Sequence, residues 1–172
     1  MFLKNLSLIG FMGCGKSTIG KILAVDLNFI FLDLDNLIEY IQELQVKEIF
    51  KKYGENYFRA LESKVINNIY GNKKCVFACG GGVFNKEENI KKIRQNSFVV
   101  YLFITAEEAY ERLKNVKNRP LLIVKGDLKT RIAQIMDERK EIYEKNCDLK
   151  IKVDGKSPGR IKDEIISYLN NH

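Results

Sequence analysis

The sequence is short of histidine, proline and long apolar runs, and each shortage removes a class of protein. Its one histidine, His172, is the last residue, so serine and cysteine triads and histidine-rich zinc centres lack the imidazole they need in a packed site. Two prolines, 12 glycines and no low-complexity tract argue against a linker, a collagen-like rod or a disordered tail. No apolar run approaches the roughly 20 residues of a membrane-spanning helix. The first glycine motif arrives within ten residues of Met1, and no secretory signal is expected. Cys14, Cys75, Cys79 and Cys147 form no CxxC pair. Cys75 and Cys79 lie four apart in an apolar run, so on a strand they share one face. Buried free thiols in a reducing cytosol are expected, rather than metal or disulfide roles.

What is present fits an ordinary globular chain. There are 172 residues, 45% apolar and 30% charged, enough for one domain over 1–172 with a full core and a cytoplasmic location. The net charge is +7, from 29 basic and 22 acidic residues. The lysines are scattered, with only doublets such as Lys51-Lys52 and Lys91-Lys92. That pattern leaves a solvated surface, attraction of small anions and a nucleic-acid footprint as three readings, the first favoured. Neither a nucleic acid nor a membrane is expected as partner.

Short apolar runs alternate with longer amphipathic ones. Strands are predicted over 6–9, 29–32, 75–79, 98–103 and 149–153. Between them, Ile19, Ile22, Leu23 and Leu27 recur at helical spacing, and 36–70 reads as helical with a break around Gly54. A further helix is predicted near 87–94. Thr105 with Glu108 reads as a capping box that opens a helix with Ala109, Leu113 and Val116 on one stripe. A loop over 117–125 precedes a helix over 127–146. Ser157 and Pro158 start a last helix with Ile161, Ile165 and Leu169 in register. Apolar strands separated by helices predict a five-stranded parallel sheet inside a three-layer α/β/α sandwich.

Gly10-Phe11-Met12-Gly13-Cys14-Gly15-Lys16-Ser17 matches G-x-x-x-x-G-K-[ST] between a strand and a helix, the context a P-loop requires. The backbone amides of Gly13, Cys14 and Gly15 can wrap a diphosphate, and the helix N-terminus adds positive charge. Lys16 reaches the β- and γ-phosphates, the Ser17 hydroxyl suits Mg²⁺, and Thr18 lies near the α-phosphate. An NKxD guanine signature is absent, since Asn72-Lys73-Lys74 is followed by Cys75. The expectation is a P-loop NTPase-type fold that binds ATP, and a small phosphotransferase.

Asp33 and Asp35 sit two apart at the end of the second strand, the edge that borders ligands in open α/β sheets. If the segment stays extended, both carboxylates face one side, with Mg²⁺ near Asp33 and an acceptor hydroxyl near Asp35. The alternative is an acidic turn that caps the next helix.

With these elements in place the chain resembles the shikimate kinase family. The P-loop is followed by Phe31-Leu32-Asp33-Leu34-Asp35. Next comes Gly54-Glu55-Asn56-Tyr57-Phe58-Arg59-Ala60-Leu61-Glu62, which is similar to the family's GE..FR..E segment. Gly80-Gly81-Gly82 and then Arg119-Pro120-Leu121-Leu122 complete the set. The resemblance spans essentially the whole chain. It implies ATP-dependent, Mg²⁺-assisted phosphorylation of the 3-hydroxyl of shikimate, in aromatic amino-acid biosynthesis; a monomer is expected.

By the same resemblance Asp35 would hydrogen-bond the ring hydroxyls and act as base. Arg59 and Arg139 would hold the carboxylate, and Gly81 would offer its amide. Asp33 and Ser17 would support Mg²⁺. Arg119 would close over the ATP phosphates from a lid at about 116–125, with 36–70 as the substrate-binding helical region. Seven arginines against 22 lysines supply the planar forks that carboxylate recognition favours. Arg59 can also pair with Glu62 at i,i+3, and Arg119 can also be a solvated loop charge.

One segment departs from the family. Its usual R-x-P-L-Y reads here Arg139-Lys140-Glu141-Ile142-Tyr143, so the helix need not break after Arg139. Arg131 is a weaker candidate for the same task. Asp154-Gly155-Lys156 falls where the family contacts adenine. Two rivals remain at this stage: a kinase of the same architecture acting on gluconate or a nucleoside monophosphate, and a nucleotide-dependent binding module.

Overall fold

The computed structural model describes residues 4–70, 74–116, 122 and 127–171. Strands β1 (Asn5–Ile9), β2 (Ile30–Asp33), β3 (Cys75–Ala78), β4 (Ser97–Phe103) and β5 (Leu149–Lys152) form one sheet in the order β2-β3-β1-β4-β5. All four neighbouring pairs are parallel. β1 is central, and the chain crosses first to one side of it and later to the other. That reversal opens a crevice at the carboxyl edge of the sheet.

The alternation of side chains along each strand divides the core in two. Leu6, Leu8, Val76, Val100 and Leu102 point to a cluster shared with α1 (Lys16–Leu27), α5 (Ala106–Leu113) and α7 (Pro158–Asn171). Ile9, Cys75, Phe77, Val99 and Tyr101 point to the other, shared with α2 (Leu34–Gln42), α3 (Val46–Ile69) and α4 (Glu87–Asn96). Cys75 and Cys79 are thus on one face, and all four cysteines are free thiols. The long helix α6 (Leu128–Lys145) reaches both clusters, with Ile132 and Ile135 in the first and Tyr143 in the second. The core strands carry the predicted continuous apolar runs. β2 carries one as well but does not bury it, because it is an edge strand, with Ile30 63% exposed.

Several local expectations change. The extended run does not continue through Asp35, because Asp33 caps α2: its Oδ1 accepts from the amides of Asp35 (3.1 Å) and Asn36 (3.4 Å). The helical region 36–70 breaks twice. One break is at 43–45, where Gln45 and Glu48 form a reciprocal capping box. The other is at Gly54, with φ 81° and ψ 173°. The predicted box at Thr105 is only half made. Its hydroxyl accepts from the Glu108 amide, but the Thr105 amide donates to Asp154 Oδ1 (3.1 Å), and the Glu108 carboxylate pairs with Arg112. Val116 leaves the apolar stripe because α5 ends at Leu113, and it is 45% exposed.

Candidate active site

The carboxyl ends of β1, β2 and β3 converge on a cavity of about 450 Å³. At one end lies the glycine-rich loop, with Gly13 and Gly15 at φ 81° and 95°. Those left-handed conformations turn the chain directly into α1, whose free amides favour an anion. Lys16 Nζ donates to the carbonyls of Gly10 (2.9 Å) and Phe11 (3.0 Å) across the loop. Thr18 also lines the cavity. The Cys14 thiol does not, because it is 1% exposed and packs in the core; the backbone is what it can offer a phosphate.

Ser17 Oγ donates to Asp33 Oδ2 at 2.5 Å. This joins the first turn of α1 to the end of β2, and puts a hydroxyl and a carboxylate side by side. Among the described residues no three metal-binding side chains cluster. One carboxylate and one hydroxyl is nevertheless the sparse, hard-oxygen set that suits Mg²⁺ when phosphates and waters complete its octahedron.

The other end of the cavity is a cage of charges against a glycine wall. Asp35 comes from the first turn of α2, Arg59 and Glu62 from α3, and Arg139 from α6. The three glycines after β3 back all four. A Cβ on Gly80 would lie 2.7 Å from both Asp35 Oδ1 and Glu62 Oε1. On Gly81 it would lie 2.9 Å from Arg139 Nη1, and on Gly82 2.3 Å from the Arg59 guanidinium carbon. The wall must therefore be glycine for the ionic groups to reach the cavity. Val46, Phe50 and Phe58 supply apolar lining.

Arg59 is aimed by two carboxylates. Nη1 binds Glu62 Oε2 at 2.6 Å, and Nη2 and Nε bind Glu55 Oε1 at 2.9 and 3.2 Å. The ion pair foreseen for Glu62 and the cavity position of Arg59 therefore both hold. Burial opposes the Arg59 charge, but Glu62 and Glu55 more than offset it and its pKa is raised. Glu62 is 1% exposed. Burial pushes its carboxyl up, Arg59 pulls it back and Asp35 pushes it up again, leaving it at about 7. Two buried polar atoms have no hydrogen-bond partner among the described residues, Glu62 Oε1 and Arg139 Nη1. An oxygen and a guanidinium nitrogen left bare in one cage suit a ligand that brings both a hydroxyl and a carboxylate.

The structure thus brings Gly13, Gly15, Lys16, Ser17, Thr18, Asp33, Asp35, Arg59, Gly81 and Arg139 to one cavity. Arg119 and the lid over 117–121 and 123–126 lie outside the described residues. Arg131 is not in this cavity but in a smaller neighbour of about 270 Å³, which shares Arg139 with it. Asp154 serves to tie the loop after β5 to the start of α5. Sequence reading passed over Arg112, whose Nη1 donates to the Gly13 carbonyl at 3.1 Å. Its spacing from Glu108 was visible, but a contact across 99 positions was not.

The family model described as shikimate kinase matches residues 12–170. A shikimate kinase of Persephonella marina is 42% identical over 97% of this chain and 99% of its own length. That of a Sulfurihydrogenibium species is 41% identical over 97% and 98%. Among solved structures, shikimate kinase from Acinetobacter baumannii in complex with shikimate superposes with a TM-score of 0.94 at 32% identity, covering 98% of this chain and 93% of that one. A gluconokinase from Sinorhizobium meliloti reaches 0.63 at 13% identity, covering 98% and 92%, a likeness of fold alone.

Proposed function

The chain belongs to the shikimate kinase family, and from that premise we propose that it transfers the γ-phosphoryl group of ATP to the 3-hydroxyl of shikimate. The products are shikimate 3-phosphate and ADP, in a step of chorismate and aromatic amino-acid biosynthesis. The observation that carries the reading is the pairing of a P-loop with a cage of Asp35, Glu62, Arg59 and Arg139 in one cavity. The cage matches a small polyol carboxylate in charge and in hydrogen-bonding groups.

Phosphoryl transfer asks for positioning and charge neutralisation more than for covalent chemistry. Arg59 and Arg139 grip the carboxylate and the Gly81 amide supports it, so one face of the ring is fixed. Asp35 orients the reacting hydroxyl and takes its proton as the new bond forms. The amides of Gly13, Cys14 and Gly15, with Lys16 and Thr18, hold the nucleotide phosphates. Ser17 and Asp33 are the residues that would hold Mg²⁺, which would supply charge neutralisation to the nucleotide phosphates when bound. By the family resemblance Arg119, in the lid expected at about 116–125, would serve the ATP phosphates, and 36–70 would be the substrate-binding region of a single 1–172 domain.

The protein acts as a cytoplasmic monomer in this reading. The cysteines are free, as a reducing compartment keeps them, and no helix among the described residues is long and apolar enough to cross a membrane.

The test is ATP turnover with and without shikimate, beside gluconate and nucleoside monophosphates. Shikimate alone should stimulate ADP release, and stimulation by another acceptor instead would reassign the enzyme. Asp35→Asn should lower kcat by at least about a thousandfold while ATP still binds. Near-normal turnover in that variant removes Asp35 from the mechanism.

A further inference from the structure

We infer that Tyr143 is a positioning residue for carboxylate recognition: its hydroxyl, bonded to the Gly81 carbonyl, fixes the phase of α6 that aims Arg139 into the cage. The inference rests on the shikimate reading above. It concerns a side chain that does not line the cavity.

In this chain α6 runs unbroken over Leu128–Lys145, through Lys140, Glu141 and Ile142. No proline kinks it, so something else must set the angle at which Arg139 meets the cavity. Arg139 and Tyr143 are four apart and share one helix face. Tyr143 Oη donates to Gly81 O at 2.5 Å. Its ring is 3% exposed, and its centroid lies 5.2 Å from that of Tyr101 and 6.2 Å from that of Phe84. Packing thus holds the ring and the hydrogen bond holds its tip.

One turn earlier, Arg139 is 7% exposed, with Nη1 pressed against Gly81 and bare of partners among the described residues. It differs from Arg59 in this respect. Two carboxylates aim Arg59, whereas Arg139 makes no ion pair among the described residues. Its direction comes from the helix that carries it and from the Tyr143 hydroxyl, which interacts with the Arg139 side chain beside Gly81. The Gly81 peptide is therefore held by Tyr143 while it backs the guanidinium four residues away. Burial drives the Tyr143 phenol up to about 12, the Arg139 charge pulling the other way, so the hydroxyl stays a neutral donor through the working pH range.

The test is Tyr143→Phe, which keeps the ring and removes only the donor. Steady-state constants are measured with shikimate and with its methyl ester, which retains the hydroxyls and lacks the negative charge. KM for shikimate should rise roughly tenfold, the equivalent of one buried hydrogen bond. The ester should show the same kcat/KM in variant and parent, and KM for ATP should hold, while the melting temperature falls only by the few degrees that one lost buried hydrogen bond costs. In an Arg139→Met background the second substitution should add less than about twofold, since coupled residues share one effect. Equal penalties for acid and ester mean general loosening and overturn the inference, as does an unchanged KM for shikimate. No shikimate-dependent turnover in the unaltered protein overturns the functional reading and this inference together, a result distinct from an active parent with an indifferent variant.

Discussion

At Gly82 an added methyl group would meet the Arg59 guanidinium carbon at 2.3 Å, yet the backbone there (φ −107°, ψ 1°) accepts alanine. Gly82→Ala is therefore a steric probe with little backbone strain. It should displace Arg59 from the wall and raise KM for shikimate by about tenfold or more, with KM for ATP unchanged. Equal changes in both constants would mean that the wall serves the whole cavity. Glu62 gives a second test at this scale. Its carboxyl is held at about 7 in the fold, above the ordinary carboxylate value, so the native state binds the extra proton between about pH 4.5 and 7. The contribution of this group to stability is thus fully present at low pH and lost as pH rises through 7. Urea unfolding across that range should show the decline, on the order of 3 kcal/mol in all, and Glu62→Gln should remove it. Single residues were also the most legible level of the sequence. The P-loop names its own chemistry, and Asp33 and Asp35 could be picked out by spacing, whereas Arg59 and Gly81 came from the family resemblance. What pattern hid was mutual placement. Nothing in the spacing of Gly80-Gly81-Gly82 says that Gly80 backs two carboxylates while Gly81 and Gly82 each back a guanidinium.

Between helical segments, Gly54 makes the decisive turn. Its φ of 81° and ψ of 173° lie in a region essentially closed to side chains, although a Cβ there would touch nothing within 4 Å. Gly54→Ala should cost about 1–3 kcal/mol through backbone strain alone. It should also raise KM for shikimate, because the turn sets the direction of the helix that carries Glu55, Arg59 and Glu62. Calorimetry and kinetics check the two halves, and a lowered melting point with unchanged KM would detach the turn from the site. The sequence announced this break, since glycine interrupts a helical pattern conspicuously. It announced the end of β2 less well. Asp33 was open to two readings, metal support or helix cap, and in the structure it caps α2 while it accepts from Ser17. One carboxylate has two oxygens, and each takes a separate task. The half-made box at Thr105 has a similar origin: a partner from a distant loop, Asp154, captured the amide that local spacing assigned to Glu108.

Across the whole molecule, the parallel sheet and its two apolar clusters follow from alternation and run length, and were therefore legible. The order β2-β3-β1-β4-β5 was not, because strand adjacency depends on contacts far apart in sequence. The charge of +7 is another whole-molecule property, and both expected substrates are anions. If the surplus speeds their arrival, kcat/KM for shikimate should fall roughly two- to threefold between about 0.02 and 0.2 M salt, with kcat steady. A flat response would assign the surplus to solubility. The glycine wall also limits how the enzyme could be remade for bulkier acceptors. Its three residues are already as small as residues can be, so no truncation on that side yields space. Room for a larger ring must be carved from the apolar lining, at Val46 or Phe50, rather than at Phe58, whose ring centroid lies 5.4 Å from the Arg59 guanidinium carbon and helps to seat it.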